Sequence, residues 1–302
     1  MVSDRPPQPH RPNVPSAISI AGSDPSGGAG IQADLKTFAA FGVYGGAVLT
    51  ALTAQNTRGV VGIHAVPPAF VKVQLDALAE DLRVHAIKIG MVATAETAAV
   101  VADAISDLAC EDTPPAIVVD PVMVSKAGDP LVEDDAVASI RDHLLPLATV
   151  ITPNRHEAAR LLGEPRPPES CEDLQDAAVA LSRLTSAAVL LTGGGPATRE
   201  RDIASDHGNG GEIHDVLVDH GEVRVSTSPR IDTPHVHGTG CAFSSAIAAG
   251  LARGRDLEGA IDDARRWLHE ALRCGRHLGV GLGHGPPDHL HAVRDDLARG
   301  DA

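Results

Sequence analysis

The chain is short of several residue classes at once. Its 302 residues include one Trp, one Tyr and four Phe, so Trp267 and Phe243 read as core residues and not as base-stacking platforms. No apolar run approaches the roughly 20 residues that span a bilayer, which excludes a membrane-spanning helix. Residues 1–15 are rich in Pro, Arg and Gln and lack the apolar segment of a signal peptide. They are expected to form a disordered lead-in. The four cysteines, Cys110, Cys171, Cys241 and Cys274, lie far apart and form no CxxC pair or Cys/His cluster of zinc spacing. Reduced thiols in a cytoplasm are the expectation. Positive charge is scarce too. The formal net charge is -15, which opposes nucleic acid or an anionic membrane as partner. Only Lys36, Lys72, Lys88 and Lys126 are lysines. Such an acidic, Lys-poor, Ala-rich and aromatic-poor balance suggests a salt-adapted protein, while a GC-rich genome also favours Ala and Arg.

What is present is a hydrophobic share of 43%, enough for a large core. β-branched runs at 17–21, 48–53, 86–89, 116–119, 149–152 and 187–192 predict strands. Amphipathic stretches at 30–41, 69–81, 95–108, 134–144, 154–162 and 173–184 predict helices between them. This alternation predicts a mostly parallel sheet covered by helices on both faces. Residues 193–211, rich in Gly, Asp and Arg, break the rhythm and read as a mobile loop. The runs 216–218 and 223–225 around His220-Gly221 read as a hairpin. Helices follow at 242–251 and 257–272. The 15 histidines carry no metal spacing and are mostly expected at the surface.

Five local patterns carry possible chemistry. His237-Gly238-Thr239-Gly240-Cys241 precedes an Ala-rich helix. Its glycines allow close backbone approach to an anion, and a helix start offers free N–H groups and a positive dipole end. Gly238, Gly240 and Cys241 are therefore candidates for a nest around a transferring phosphoryl group. A thiol there is expected to have a lowered pKa and to accept a hydroxyl proton. An ordinary Gly turn before a buried helix accounts for the same letters. A second Gly-rich turn, residues 21–30, follows the first strand, where open α/β sheets bind ligands. It contains neither G-x-G-x-x-G nor a P-loop. Gln55-Asn56-Thr57, expected just after the second strand, offers an amide suited to a heteroaromatic edge, or a solvated loop. Thr152-Pro153-Asn154 with Glu157 one turn on, like Asp120-Pro121-Val122-Met123, sits beyond a buried strand. Asn154 reads as a helix cap or, with Glu157, as a group orienting Mg²⁺ and its waters near ATP phosphates. Thr192-Gly193-Gly194-Gly195 wraps a nucleotide or simply leaves the strand.

Together these pieces resemble one family. The run Ile20-Ala21-Gly22-Ser23-Asp24-Pro25-Ser26-Gly27-Gly28-Ala29-Gly30-Ile31-Gln32-Ala33-Asp34-Leu35-Lys36-Thr37 is similar to the N-terminus of hydroxymethylpyrimidine/phosphomethylpyrimidine kinases. Thr53-Ala54-Gln55-Asn56-Thr57, Lys88-Ile89-Gly90-Met91, Val119-Asp120-Pro121-Val122-Met123, Gly128-Asp129-Pro130-Leu131, Ile151-Thr152-Pro153-Asn154 and His237-Gly238-Thr239-Gly240-Cys241 follow in the family's order. The resemblance implies an α/β, ribokinase-like three-layer α/β/α fold with a mostly parallel central sheet and a small lid, often dimeric. It implies a kinase domain over 16–291 and a tail over 292–302. The implied reaction is two successive ATP-Mg²⁺ phosphorylations, of 4-amino-5-hydroxymethyl-2-methylpyrimidine and then of its monophosphate. By matching positions it assigns Gly22, Asp34, Gln55, Met91 and Val122 to the pyrimidine. Cys241 is assigned to catalysis, and Gly238 and Gly240 to the anion hole. Asn154, Glu157, Thr192 and Gly194 fall in the Mg-ATP region.

One departure stands out. Many relatives have Lys where this chain has Thr192, which removes a phosphate-contacting cation. An Arg from the 193–211 loop is a candidate replacement. Some relatives also carry a C-terminal thiamine-phosphate synthase domain, which is not expected here. Two alternatives stay open: a pyridoxal or pyridoxine kinase of the same fold, and a nucleotide-binding regulator without catalysis.

Overall fold

Alternation along the strands decides how the layers form. The computed structural model describes residues 14–109, 113–124, 131–193 and 211–300. The expected N-terminal lead, apart from Val14 and Pro15, lies outside them. So do Gly128-Asp129-Pro130, Gly194 and nearly all of the 193–211 loop. In β1 (Ser16–Ser23) and β4 (Ala86–Ile89), Ile18, Ile20, Ile87 and Ile89 face one hydrophobic core, while Ala17 and Ala86 face another. β5 (Ala116–Val119) repeats this, with Ile117 and Val119 on one side and Val118 on the other. Period-two burial on both faces is the mark of a sheet sandwiched between helices.

The sheet has nine strands in the order β3-β2-β1-β4-β5-β6-β7-β8-β9. β2 (Tyr44–Asn56), β6 (Val150–Ile151) and β7 (Ala188–Leu191) complete a parallel centre with β1, β4 and β5. Antiparallel flanks are added by β3 (Gly59–Ala65) on one side and by β8 (Glu212–Asp219) and β9 (Glu222–Pro229) on the other. The turn His220-Gly221 has positive φ at both residues, 47° and 83°, as a two-residue hairpin requires.

One face carries α2 (Pro68–Ala79), α3 (Ala95–Ala109), α4 (Asp134–Ser139), α5 (Arg155–Leu162) and α6 (Cys171–Ser182). The other carries α1 (Gly30–Ala40), α7 (Thr239–Ala252) and α8 (Leu257–Gly275). α7 is buried along most of its length. Its small residues permit this: a Cβ on Gly250 would lie 2.9 Å from that of Ala260, so the α7–α8 crossing needs glycine there.

Several expectations change. β2 runs past 53 to Asn56, so Gln55 lies inside a strand and not in a loop after it. β3, which no sequence pattern announced, is an edge strand with five of its seven residues exposed. The expected tail contains α9 (His291–Gly300). Among the described residues no helix is long and apolar enough to cross a membrane.

Candidate active site

Parallel strands place their carboxyl ends on one edge, and a cavity of about 320 Å³ opens there. Gly22 from β1, Gln55 from β2, Met91 after β4 and Val122 after β5 wall one end. Asn154, Glu157 and Thr192, from the ends of β6 and β7, wall the other. Gly238, Gly240 and Cys241, at the start of α7, lie along the same wall. Gly194 lies outside the described residues.

The turn between β1 and α1 is organised by Asp24. Its carboxylate accepts from the Ser26 amide (2.8 Å), the Ser26 hydroxyl (2.9 Å), and the Gly28 (3.2 Å) and Ala29 (2.8 Å) amides. His237 Nε2 donates to it at 2.7 Å. Burial works against this charge, but the bonds from His237 and Ser26 outweigh it and hold the carboxyl below its ordinary pKa. Gly238, at φ 76°, begins α7 with no side-chain cap. A Cβ there would run into the Gly28 carbonyl. The two glycine-rich segments therefore meet backbone to backbone; the Thr239 N–H turns back to the Val236 carbonyl (3.2 Å), and the Gly240 and Cys241 N–H groups of the first turn of α7 are the ones that a ligand can use.

Behind this wall lies a buried charge cluster. Asp34 on α1 is not on the cavity. It is fully buried, accepting from Ser19 Oγ (2.6 Å), Ser245 Oγ (2.7 Å) and Lys88 Nζ (3.1 and 3.2 Å). The expected contact of Asp34 with a pyrimidine is thus corrected, because its lone pairs are spent on core partners. Lys88, also fully buried, lies 3.8 Å from Asp120, which does reach the cavity and accepts from Ser244 Oγ at 3.0 Å. Burial opposes the charge of Lys88, but Asp34, then Cys241 and Asp120, hold its pKa above the ordinary value. Burial pushes the Asp120 carboxyl up, against the pull of Lys88.

Cys241 departs from expectation as well. Part of the residue opens on the cavity and the Gly30 amide donates to its sulfur. Even so, burial pushes the thiol up to about 12, with Asp120 and Asp34 adding to the rise and Lys88 opposing it. Desolvation and two carboxylates outweigh the helix dipole, so the thiol is neutral in the resting site.

At the other end Asn154 caps α5. Its side chain accepts from the His156 (2.9 Å) and Glu157 (3.1 Å) amides, and Glu157 accepts in return from the Asn154 amide (2.9 Å). Capping and cavity-lining are both true of this pair. The Thr192 amide donates to the Pro153 carbonyl (2.9 Å), and the Gly193 amide to Asp215 on β8 (3.1 Å). Asp215 pairs at 3.3 Å with Arg265 of α8, whose side chain also lines the cavity. Arg265, Leu268, His269 and Leu272 present one helical face to it. Sequence reading missed Arg265 and the pairing of Asp24 with His237. The first was legible only as an Arg on an amphipathic helix. The second joins residues 213 positions apart. Among the described histidines, which are mostly expected at the surface, His237 and His289 are the buried ones.

Comparison with known proteins agrees with this geometry. Residues 24–288 match the family described as phosphomethylpyrimidine kinase. A hydroxymethylpyrimidine/phosphomethylpyrimidine kinase of Rhizobium meliloti is 46% identical over 275 residues, covering 91% of this chain and 97% of the relative. A thiamine biosynthesis bifunctional protein, ThiED, of Geobacter sulfurreducens is 46% identical over 280 residues, covering 93% of this chain. The chain spans about half of that relative's length, 53%. Among solved structures, an ADP complex of Bacillus subtilis pyridoxal kinase superposes with a TM-score of 0.79 at 34% identity, over 93% of this chain and 99% of that one. The fold is thus the ribokinase-like one these kinases share, and the chain belongs to the phosphomethylpyrimidine kinase family.

Proposed function

We propose that the chain transfers the γ-phosphoryl group of ATP to 4-amino-5-hydroxymethyl-2-methylpyrimidine, and then phosphorylates that monophosphate to the pyrophosphate used in thiamine biosynthesis. The observation that carries this reading is the continuity of one cavity. It runs from the Gln55 amide, past the start of α7, to Thr192 and Arg265. In this reading Gln55 pairs with the aminopyrimidine edge, while Gly22, Met91 and Val122 hold the ring. A Cβ on Gly22 would come within 2.8 Å of Met91 Cε, so a side chain there would push the flexible Met91 thioether out of its present place in this wall. Asp34 acts at one remove, as counter-charge to Lys88.

Phosphoryl transfer is mostly positioning and charge stabilisation. The Gly238–Cys241 backbone supplies N–H groups to the transferring group without needing a lysine. Arg265 brings a cation to the end where Thr192 replaces the family lysine. The hydroxyl proton of the first acceptor is taken by the Asp120 carboxylate, with the neutral Cys241 thiol beside it relaying the proton by handing on its own S–H hydrogen. The second acceptor, a phosphate, is already ionised and needs no such base. The donor set at the nucleotide end, Asp120, Thr152, Glu157 and Thr192, is all oxygen, and the Thr152 hydroxyl is buried without a protein partner. That chemistry suits Mg²⁺. Among the described residues no three His, Cys, Asp or Glu side chains converge as a metal site, so Asn154 and Glu157 would act through water on an ion carried by ATP. The ion would neutralise phosphate charge.

The reading includes a cytoplasmic homodimer. Support comes from the free thiols of Cys171 and Cys241, and from exposed Val61, Ile63, Phe70 and Val73 on β3 and α2 at a sheet edge. The test of function is product formation from ATP, followed by mass spectrometry, with the aminopyrimidine and pyridoxal side by side. Pyrimidine monophosphate and then diphosphate are expected. Pyridoxal phosphate alone would move the assignment to vitamin B6 salvage. Absence of any product would favour a non-catalytic nucleotide binder.

A further inference from the structure

Gln55 is carried on a ribbon that the body of the sheet does not hold. β1 accompanies β2 only as far as Leu52. Beyond it, residues 53–56 pair with β3 alone, around the two-residue turn Thr57-Arg58. β3 is itself an exposed edge. Two strands without a third are marginally stable in water, so the tip that presents Gln55 needs a tether from elsewhere. The approach to the phosphoryl nest, residues 230–237, is irregular chain between β9 and α7, and it too has no ladder to hold it.

One short segment ties these two parts together. The Gly283 N–H donates to Thr57 Oγ1 at 3.1 Å, and the His284 N–H to the Thr57 carbonyl at 2.9 Å. On the other side, the Gly285 N–H donates to His235 Nδ1 at 3.1 Å, and the Gly285 carbonyl accepts from the His237 N–H at 3.1 Å. Three consecutive residues thus bond to the hairpin tip just past Gln55 and to the segment that ends just before Gly238. A Cβ on Gly283 would run into the Thr57 carbonyl, and one on Gly285 into the His235 ring, so the close approach needs glycine at both. From Gly285 to His289 the chain is buried, and the Asp288 N–H donates to the Ala271 carbonyl of α8 at 2.8 Å. The strap is therefore anchored on the helical layer, as a fixed brace. Thr57, His235 and residues 283–285 stand outside the cavity lining, so they act on the site only through what they hold.

We propose that the 283–285 strap is a positioning element, with Thr57 and His235 as its anchoring residues: it sets the distance between the ring wall at Gln55 and the phosphoryl nest at the start of α7. The inference rests on the proposed pyrimidine kinase function. Each wall binds its own ligand without reference to the other, but in-line transfer depends on their separation. A misplacement of about 1 Å between reacting groups costs up to about 10²-fold in rate.

The test uses the full chain with ATP and 4-amino-5-hydroxymethyl-2-methylpyrimidine. kcat and both KM values are read from turnover, and ring affinity from calorimetry. Thr57→Val keeps the shape of the side chain and removes the hydroxyl acceptor. It is expected to lower kcat about tenfold, with both KM values and the ring affinity changed less than about threefold. Thr57→Ser should keep the wild-type kcat. His235→Phe, on the other side of the strap, should show the same split. The double variant should lose no more than the worse single one, because a strap released at one anchor transmits nothing from the other. A loss confined to KM for the pyrimidine, or losses that multiply in the double variant, would mean separate local defects and overturn the inference. Unchanged kcat in folded Thr57→Val and His235→Phe would overturn it as well. In the wild-type protein the Gly283 and Gly285 amides should exchange slowly with deuterium. Exchange at the rate of an open chain would show an untethered strap and sink the inference without any variant. Wild-type protein that made no pyrimidine phosphate would remove the functional reading and this inference together. An active wild type with any of the contrary outcomes removes the inference alone.

Discussion

The two ends of the cavity are built by different means. At the acceptor end, alignment comes from desolvated charge. Lys88 and Asp34 are both fully buried at 3.1 Å, and Asp24 with His237 is nearly so at 2.7 Å. At the nucleotide end, the groups are strand tips, the capping box of α5, and the Arg265–Asp215 pair, which is longer and partly exposed. Buried charge is costly unless every lone pair is matched, and once matched it leaves little freedom. A partly hydrated pair at the nucleotide end leaves more. Under the proposed function, the rigid end is the one that would align a hydroxyl for in-line transfer, and the tolerant end the one that would admit and release a nucleotide.

The largest effect expected from this contrast is on stability. Lys88→Met strands Asp34 in the core and should cost about 3–5 kcal/mol in urea unfolding. Adding Asp34→Asn should recover part of that. If Arg265→Met cost as much as Lys88→Met, the distinction between the two ends would be gone.

Next in size is a step-selective loss within the acceptor end. Cys241→Ala should lower the first phosphorylation about 10²-fold and the second only a few-fold, in separate assays with each acceptor. Equal losses would remove Cys241 from proton handling and leave it a packing residue. The smallest effect should sit at the nucleotide end. Arg265→Gln should raise KM for ATP roughly tenfold, with KM for the pyrimidine unchanged. A shift in the pyrimidine constant instead would place Arg265 at the wrong end of the cavity.

Legibility differed in the same way between regions. The parallel centre was readable because each short strand is a buried apolar run between amphipathic helices, as in Ile87 and Ile89 or Ile117 and Val119. β3 was not, since an exposed edge strand carries no burial pattern. Gln55 and Asn154 could be picked out as polar groups at strand ends, and Cys241 as a thiol at a glycine-marked helix start, whereas Met91 came only from the resemblance to the family. Asp34 was misplaced by the same logic. It stands ten residues after Asp24, in the run where ligands are expected, yet its helix turns it into the core against Lys88.

By itself the sequence determined the layered α/β architecture, the segments whose glycines bring backbone close to a ligand, and the family. These depend on local periodicity and on residue types with few conformational substitutes. Only the tertiary structure decided which charges are paired and which way they face. Asp24 meets His237, Asp34 meets Lys88, Asp215 meets Arg265, and Cys241 is held as a neutral thiol beside two carboxylates. The physical reason is that electrostatic energy depends on distance and on exclusion of water. Both are set by elements far apart in the chain, and neither is written in the spacing of the residues concerned.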